Sequence, residues 1–383
     1  MLYQQLVAIL LAALLLNLLL NLRTLRRAKS DVELPEPAPL ISVLIPARNE
    51  EANIGTCLES LRRQDYPNFE ILVLDDSSTD RTADIVASIA AEDHRVRLLR
   101  GRPLLPGWAG KPFACHQLAR KARGSWLLFT DADTVHAPSV LRYVLGTAIG
   151  SRAVFISGFP YQQTTSIWQK ITLPILFYFM LLYWMPLWWL QRSERALPSV
   201  AIGQFLFFSA QEYRSIGGHE AVKSRIVEDV WLAREMARHH YRQLTLDLSS
   251  LVSCQMYREF GSMWDGIARW LYTVASLSVF GLIVMMVVVT LLFLAPFLWL
   301  AHGLLLSEPA FSWQMLVGLQ VVILLLARFL VGRRFSQSKS SVVLHPIGIG
   351  LLLLVGLYAS FQHLTGAGVR WKGRVYGPES RIN

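Results

Sequence analysis

Apolar positions fall along this chain in three regimes. Leu2 to Leu20 is an almost unbroken run of Leu, Ala, Ile and Val, interrupted by Gln4, Gln5 and Asn17. About 20 such residues suffice to cross ~30 Å of hydrocarbon as a helix. After a Pro-rich stretch (Pro35, Pro37, Pro39) the pattern breaks into short units. Ile41 to Ile45, Glu70 to Leu74, Val96 to Leu99 and Ser125 to Thr130 read as strands, and Asn53 to Arg63 and Thr79 to Ala91 as helices. Strands alternating with helices at this spacing predict an α/β fold with a doubly wound, mainly parallel sheet, whose ligand lies at the carboxyl ends of the strands.

From residue 272 onward the chain turns apolar again in Leu277 to Leu305, Met315 to Leu330 and Val342 to Phe361, each long enough for a span. The first reads either as one helix, tilted or kinked at Pro296, or as a tight hairpin. The last, with His345, Pro346, Gly348 and Gly350, reads as spanning or re-entrant. A further run, Pro174 to Leu190, is rich in Trp and Tyr and split by Pro186, which suits an interfacial segment, with a buried helix as the alternative. The expected organisation is a membrane anchor at 1–30, a linker at 31–40, a catalytic domain at 41–271 with interfacial segments near 174–190 and 255–271, a membrane domain at 272–363 and a basic tail at 364–383.

Composition changes this picture in one respect. The chain is 53% hydrophobic and only 17% charged, with a formal net charge of +10. Residues 1–30 carry Arg23, Arg26, Arg27 and Lys29 and no acid, and residues 272–383 carry eight Lys and Arg against Glu308 and Glu379. The segment between them is neutral, with 25 basic and 25 acidic residues. All the excess therefore lies beside apolar runs, which argues for membrane topology and against a nucleic-acid groove. Because the basic cluster follows the first apolar run and no A-x-A site appears, an uncleaved anchor is expected rather than a signal peptide. The positive-inside bias then predicts a multi-pass protein, of the bacterial inner-membrane kind, with a cytoplasmic catalytic domain. Cys57, Cys115 and Cys254 have neither disulfide-framework nor zinc spacing.

Three polar clusters sit at predicted strand ends: Pro46-Ala47-Arg48-Asn49-Glu50-Glu51, Asp75-Asp76-Ser77-Ser78-Thr79-Asp80 and Asp131-Ala132-Asp133. Each alone is common at strand exits and helix caps, but their joint placement marks a site. Two carboxylates two residues apart, Asp131 and Asp133, present oxygen ligands to Mg²⁺ or Mn²⁺, which such sites hold together with substrate phosphates.

The stretches SVLIPARNEEANIGTCLESLRRQDYP, ILVLDDSSTDRTADIV and LLFTDADTVHAPSVL resemble the nucleotide-binding half of family-2 inverting glycosyltransferases of the GT-A fold. The layout of one N-terminal and several C-terminal spans is similar to the membrane branch that includes ceramide glucosyltransferase and the carotenoid- and hopanoid-associated enzymes. The resemblance implies a UDP-sugar donor, a membrane lipid acceptor at the bilayer and no nucleic acid. It places Pro46, Ala47, Arg48, Glu50, Asp76, Lys111, Asp131 and Ala132 around the nucleotide-sugar, with Asp76 on the uracil, and Asp131 and Asp133 at the metal. Lys111, in Gly107-Trp108-Ala109-Gly110-Lys111, would offer phosphate a point charge.

Glu228-Asp229 resembles the family's acidic pair beneath the acceptor, with Asp229 the base that takes the acceptor's proton. The alternative is an acid capping its helix. Gln204 is expected on a strand near the acceptor, while Glu228, Arg269 and Trp270 would meet the acceptor and diphosphate. The family's closing motif, written Q/R-x-x-R-W, keeps Arg269-Trp270 here but has Gly266 in its first position. His219 reads as a loop histidine. The rival functions are a processive polysaccharide synthase and an inactive membrane transport or scaffold protein.

Overall fold

The computed structural model describes residues 1–25, 34–182, 185–191, 200–225, 227–305, 311–371 and 374–376. They form two compact units. One comprises Leu25–Gln163 and Trp189–Met256, and the other Met1–Thr24, Thr164–Trp188 and Tyr257–Glu379. The segments 164–188 and 257–271, expected within the catalytic domain at 41–271, thus group with the apolar helices. Their burial explains the regrouping: Ile171, Leu173 and Ile175, and Met263, Ile267 and Leu271, are all buried in the helical unit.

The first unit is built on β1 (Ile41–Ala47), β2 (Phe69–Asp75), β3 (Val96–Arg100), β4 (Trp126–Thr130), β5 (Thr134–His136), β6 (Phe155–Phe159), β7 (Tyr161–Gln162), β8 (Phe205–Ser209), β9 (Gln243–Asp247) and β10 (Val252–Cys254). Seven of these form one sheet in the order β3-β2-β1-β4-β8-β6-β9. Every neighbouring pair is parallel except the two made by β8. The sheet is therefore mainly parallel, as the alternating pattern predicts.

Side-chain alternation divides each central strand between two cores. Val43, Ile45, Ile71, Val73 and Phe207 enter one, with Leu58, Val86 and Leu141 from the covering helices. Leu44, Leu72, Leu74, Leu206 and Phe208 enter the other, with Leu118, Leu232 and Met236. Strands buried on both faces read as continuous apolar runs, which is why β1, β2 and β4 were visible in sequence. Burying each such side chain stabilises by roughly 1.5–3 kcal/mol. The polar residues that end these runs, Arg48, Asp76 and Asp131, consequently emerge together at the carboxyl edge. A smaller sheet, β5-β10-β7, lies directly after Asp133 in sequence, with Thr134 paired to Cys254.

Among the described residues of the second unit, four helices are long and apolar enough to cross a membrane: Leu2–Thr24, Val279–Leu305, Phe311–Arg334 and His345–Leu364. Val279–Leu305 is one helix rather than a hairpin. It passes Pro296 through a π turn at Thr290–Leu294, and the wider turn eases the clash between a mid-helix proline and the preceding carbonyls. His345–Leu364 is likewise unbroken, because Pro346 falls in its first turn, where no amide donor is needed. The run from Pro174 begins inside the helix Ile167–Leu182, whose close neighbour is Gly348. A Cβ at Gly348 would lie 2.5 Å from the Ile171 carbonyl oxygen, so a small residue is required at this crossing.

Polar residues that interrupt the first apolar run become contact points inside this unit. Gln320 donates its amide to the Gln4 side chain and carbonyl, both at 2.8 Å. Asn17 accepts from the Trp188 indole at 3.0 Å. Arg328, fully buried, donates to the carbonyls of Pro174 and Ser341, each at 3.1 Å.

Candidate active site

The loops after β1 and β2 are laced together. The Asp76 amide donates to the Ala47 carbonyl at 2.8 Å, and Arg48 returns a guanidinium bond to the Asp76 carbonyl at 2.6 Å. Asn49 and Ser77 both take left-handed backbone conformations, which Asn tolerates well and Ser poorly. They are held there by bonds between the loops: Asn49 Oδ1 accepts from the Thr79 amide at 2.8 Å, and the Glu50 amide donates to Thr82 Oγ1 at 2.7 Å. Asp75 is committed within the fold, accepting from Arg100 at 2.9 Å and from the Ser78 amide at 3.2 Å. Pro46, Ala47, Arg48, Glu50 and Asp76 are thereby gathered into one edge.

At the end of β4, Ala132 is buried and pins the Asp131–Asp133 turn. Thr134 Oγ1 donates to the Asp131 carbonyl at 2.7 Å and fixes its shape. Two carboxylates on a turn of this kind suit one hard divalent cation whose remaining ligands are water and phosphate oxygens. Among the described residues, no group of three or more His, Cys, Asp and Glu is arranged to hold a metal by itself. Asp131 Oδ1 instead lies 2.7 Å from Lys111 Nζ.

Lys111 is the hinge of the site. It sits at the start of the helix Gly110–Lys121, after Gly107, whose φ of 78° needs a glycine. Its ammonium also reaches Glu228 Oε1 at 3.1 Å, so one cation joins the Asp131 turn to the acidic pair. Burial alone would lower the Lys111 pKa, but the Asp131 and Glu228 carboxylates outweigh it and hold the group well above its ordinary value. The ammonium expected at the donor phosphate is thus held in an internal ion-pair bridge.

Glu228 and Asp229 open the helix Glu228–Arg238, where acids are favoured. Neither caps it in the ordinary way, since the cap position is Val227. Asp229 Oδ2 accepts from the Gly203 amide at 2.7 Å and Oδ1 from the Val230 amide at 2.8 Å. Burial, followed by the neighbouring Glu228 charge, raises the Asp229 pKa to about 7; Lys111 and the two amides pull the other way. A carboxylate poised near neutrality is suited to general-base work. Gly203 matters through what it lacks, because a Cβ there would stand 3.1 Å from Lys111 Nζ and 3.3 Å from Asp229 Oδ2.

Gln204 departs from expectation. It lies in the turn before β8 rather than on a strand, is buried, and has both ends of its amide engaged internally. It donates to Cys254 Sγ at 2.9 Å and accepts from Gln162 at 2.7 Å. A turn ending a buried segment leaves polar groups to satisfy, and Gln204 does so for its own neighbourhood. His219 is likewise internal, bonded to the Tyr213 hydroxyl at 2.7 Å, and burial lowers its pKa to about 3.

Arg269 and Trp270 belong to the helical unit, on the helix Phe260–Leu277. The structure also accounts for Gly266. The ring and hydroxyl of Tyr257 occupy the space into which a side chain at 266 would project. Sequence reasoning missed Gly203 and Tyr257: one acts through its backbone, and the other stands nine residues from the glycine it covers.

Comparison with known proteins agrees with this geometry. Residues 42–203 match the family described as glycosyl transferase family 2. The chain is 28% identical over 246 residues to a 4,4'-diaponeurosporenoate glycosyltransferase of Staphylococcus haemolyticus, covering 62% of each protein. It is 35% identical over 109 residues to a beta-monoglucosyldiacylglycerol synthase of a Nostoc species, covering 28% of this chain and 23% of that one. In fold it is similar to a mannosyltransferase from Pyrobaculum calidifontis solved with GDP-Man and Mn²⁺, with a TM-score of 0.51, 18% identity, and coverage of 94% of this chain and 99% of that one. A mainly parallel sheet and strand-end motifs accompany this match: residues 42–203 match glycosyl transferase family 2, and the described residues include four helices long and apolar enough to cross a membrane.

Proposed function

We propose that the enzyme transfers a hexose from a UDP-sugar to the hydroxyl of a membrane lipid, with inversion at the sugar carbon. The names of the two relatives, which join glycosyl transfer to diaponeurosporenoate and to a diacylglycerol, support a lipid acceptor. The basic residues that follow the first apolar run support a cytosolic catalytic domain.

The observation that carries this reading is the Asp131–Lys111–Glu228 bridge beside Asp229. Arg48 and Asp76 hold the nucleoside, with the Asp76 carboxylate accepting from the uracil N–H. Asp131 and Asp133 would hold Mg²⁺ or Mn²⁺, which supplies charge neutralisation to the departing diphosphate. Asp229, kept oriented by the Gly203 and Val230 amides, takes the proton of the acceptor hydroxyl as its oxygen attacks the face opposite the leaving group. Arg269 and Trp270 order the acceptor.

Asp229→Asn tests the assignment. It keeps the side chain's shape and one of the two amide contacts but removes the base, so transfer measured by mass spectrometry of product lipid falls by about 10²–10⁴-fold while UDP affinity by calorimetry stays unchanged. Undiminished transfer in this variant would exclude Asp229 as the base. A single glycolipid product is expected; a ladder of sugar additions would favour a polysaccharide synthase.

A further inference from the structure

Lys111 is the cation on both Asp131 and Glu228, and the two ends of this bridge differ. The Glu228 side chain is 5% exposed and the Asp131 side chain 29%, so one leg is anchored inside the fold and the other opens outward. The start of the helix that carries Lys111 is fixed, because the Ala109 amide donates to the Lys223 carbonyl at 2.7 Å. The Gly203 backbone flanks the ammonium, since a Cβ there would stand 3.1 Å from Nζ. Movement of the charge is therefore left to the flexible four-carbon stem, and the leg free to release is the one on Asp131.

Asp131 has two cations to serve. Its turn with Asp133 offers hard oxygen ligands suited to Mg²⁺ or Mn²⁺, while its Oδ1 already lies 2.7 Å from the ammonium. Cations that share one carboxylate repel each other and divide its charge, so Lys111 weakens the turn for a metal arriving alone. A nucleoside diphosphate removes that conflict. Its oxygens both ligate the metal and offer the ammonium a second anion, in a charge-assisted contact. Glu228 is the tether that keeps the released ammonium within the site.

We propose that Lys111 is a positioning residue that makes metal and donor load together, competing with the divalent cation for Asp131 until the donor diphosphate draws it off. The inference rests on the UDP-sugar reading above and adds an order of assembly to it. Metal held without nucleotide is disfavoured, and Glu228 keeps a counter-charge beside Asp229 throughout.

The test uses the full chain in detergent micelles with Mn²⁺ and UDP as probes, and reads Mn²⁺ binding by electron paramagnetic resonance rather than sugar transfer. With Mn²⁺ held by free UDP subtracted, the unaltered chain should bind the ion about tenfold more tightly when UDP is present. Lys111→Met keeps the stem and removes the charge. It should tighten Mn²⁺ binding without UDP by about tenfold, since a neighbouring charge shifts a carboxylate's affinity for a proton by about one to three powers of ten. Metal-free UDP binding, by calorimetry, should weaken in the same variant. A lysine that served only to hold the fold would give the opposite sign for the metal, because a loosened site loses ligands. Lys111→Gln can still donate to a carboxylate and should match Lys111→Met where that variant fails to fold, whereas Lys111→Arg should stay near the unaltered chain. Mn²⁺ affinity unchanged or weakened in both neutral variants overturns the inference, as does equal Mn²⁺ affinity with and without UDP in an unaltered chain that binds UDP. Absence of UDP binding to the unaltered chain at every Mn²⁺ concentration would overturn the donor reading instead.

Discussion

The two compact units of this protein invert each other. In the sheet unit, Phe205, Phe207 and Phe208 are buried and the charged side chains collect at strand ends and loops. In the helical unit, Phe280 and Phe311 are each 77% exposed, while Arg328 and Gln320 are at 0% and Gln4 at 3%. Both units obey one rule, that a polar group leaving water must find a partner. They differ in the solvent each was built for. A sheet facing water hides its apolar residues, whereas helices facing hydrocarbon gain nothing from hiding them and are joined by small-residue crossings and hydrogen bonds.

This comparison can be broken most sharply by one charge placed in each unit. Phe207→Asp buries a carboxylate between β4 and β6 and should abolish UDP binding, with a loss of roughly 5 kcal/mol or more. Phe280→Asp places the same group on an exposed face. It should leave UDP binding intact and show as reduced membrane insertion, worth about 3 kcal/mol. Equal effects in UDP binding and membrane fractionation would refute the contrast.

Arg328→Met comes next. It strips the Pro174 and Ser341 carbonyls of their donor and should cost about 2–4 kcal/mol in thermal unfolding of the detergent-solubilised chain. Arg328→Lys should recover only part of the loss, because an ammonium lacks the fork that spans two carbonyls.

At the acidic pair, Glu228→Gln removes the like charge that helps raise Asp229. In the proposed role Asp229 acts only when ionised, so the transfer rate should rise with pH and level off above its pKa. Lowering that pKa should move the acid limb to lower pH by about one unit, equivalent to ~1.4 kcal/mol. A limb that stays in place in a pH–rate profile would detach Glu228 from the base.

Gln320→Leu is the smallest perturbation. Interhelical hydrogen bonds in membranes average about 0.6 kcal/mol, so its unfolding midpoint should barely move.

The sequence by itself determined the sheet and its motifs, because strands buried on both faces must be apolar throughout and the first polar residues after them must lie at an edge. Arg48, Asp76, Asp131 and the apolar spans were legible on that ground. What only tertiary structure decided depends on pairs far apart in the chain. Lys111 meets Glu228 across 117 residues, and neither residue's neighbours announce the other. Gly203 orients Asp229 through an amide that every residue but proline possesses, so no side-chain pattern marks it. Gln204 meets Cys254 and Gln162, 50 and 42 residues away, and no local pattern announces either partner. Gly266 looked like a lapse in a motif until Tyr257 was found in its space. Hydrophobic periodicity records which residues leave water, a local property of the chain; which polar group receives which partner is settled only when distant segments are brought within bonding distance.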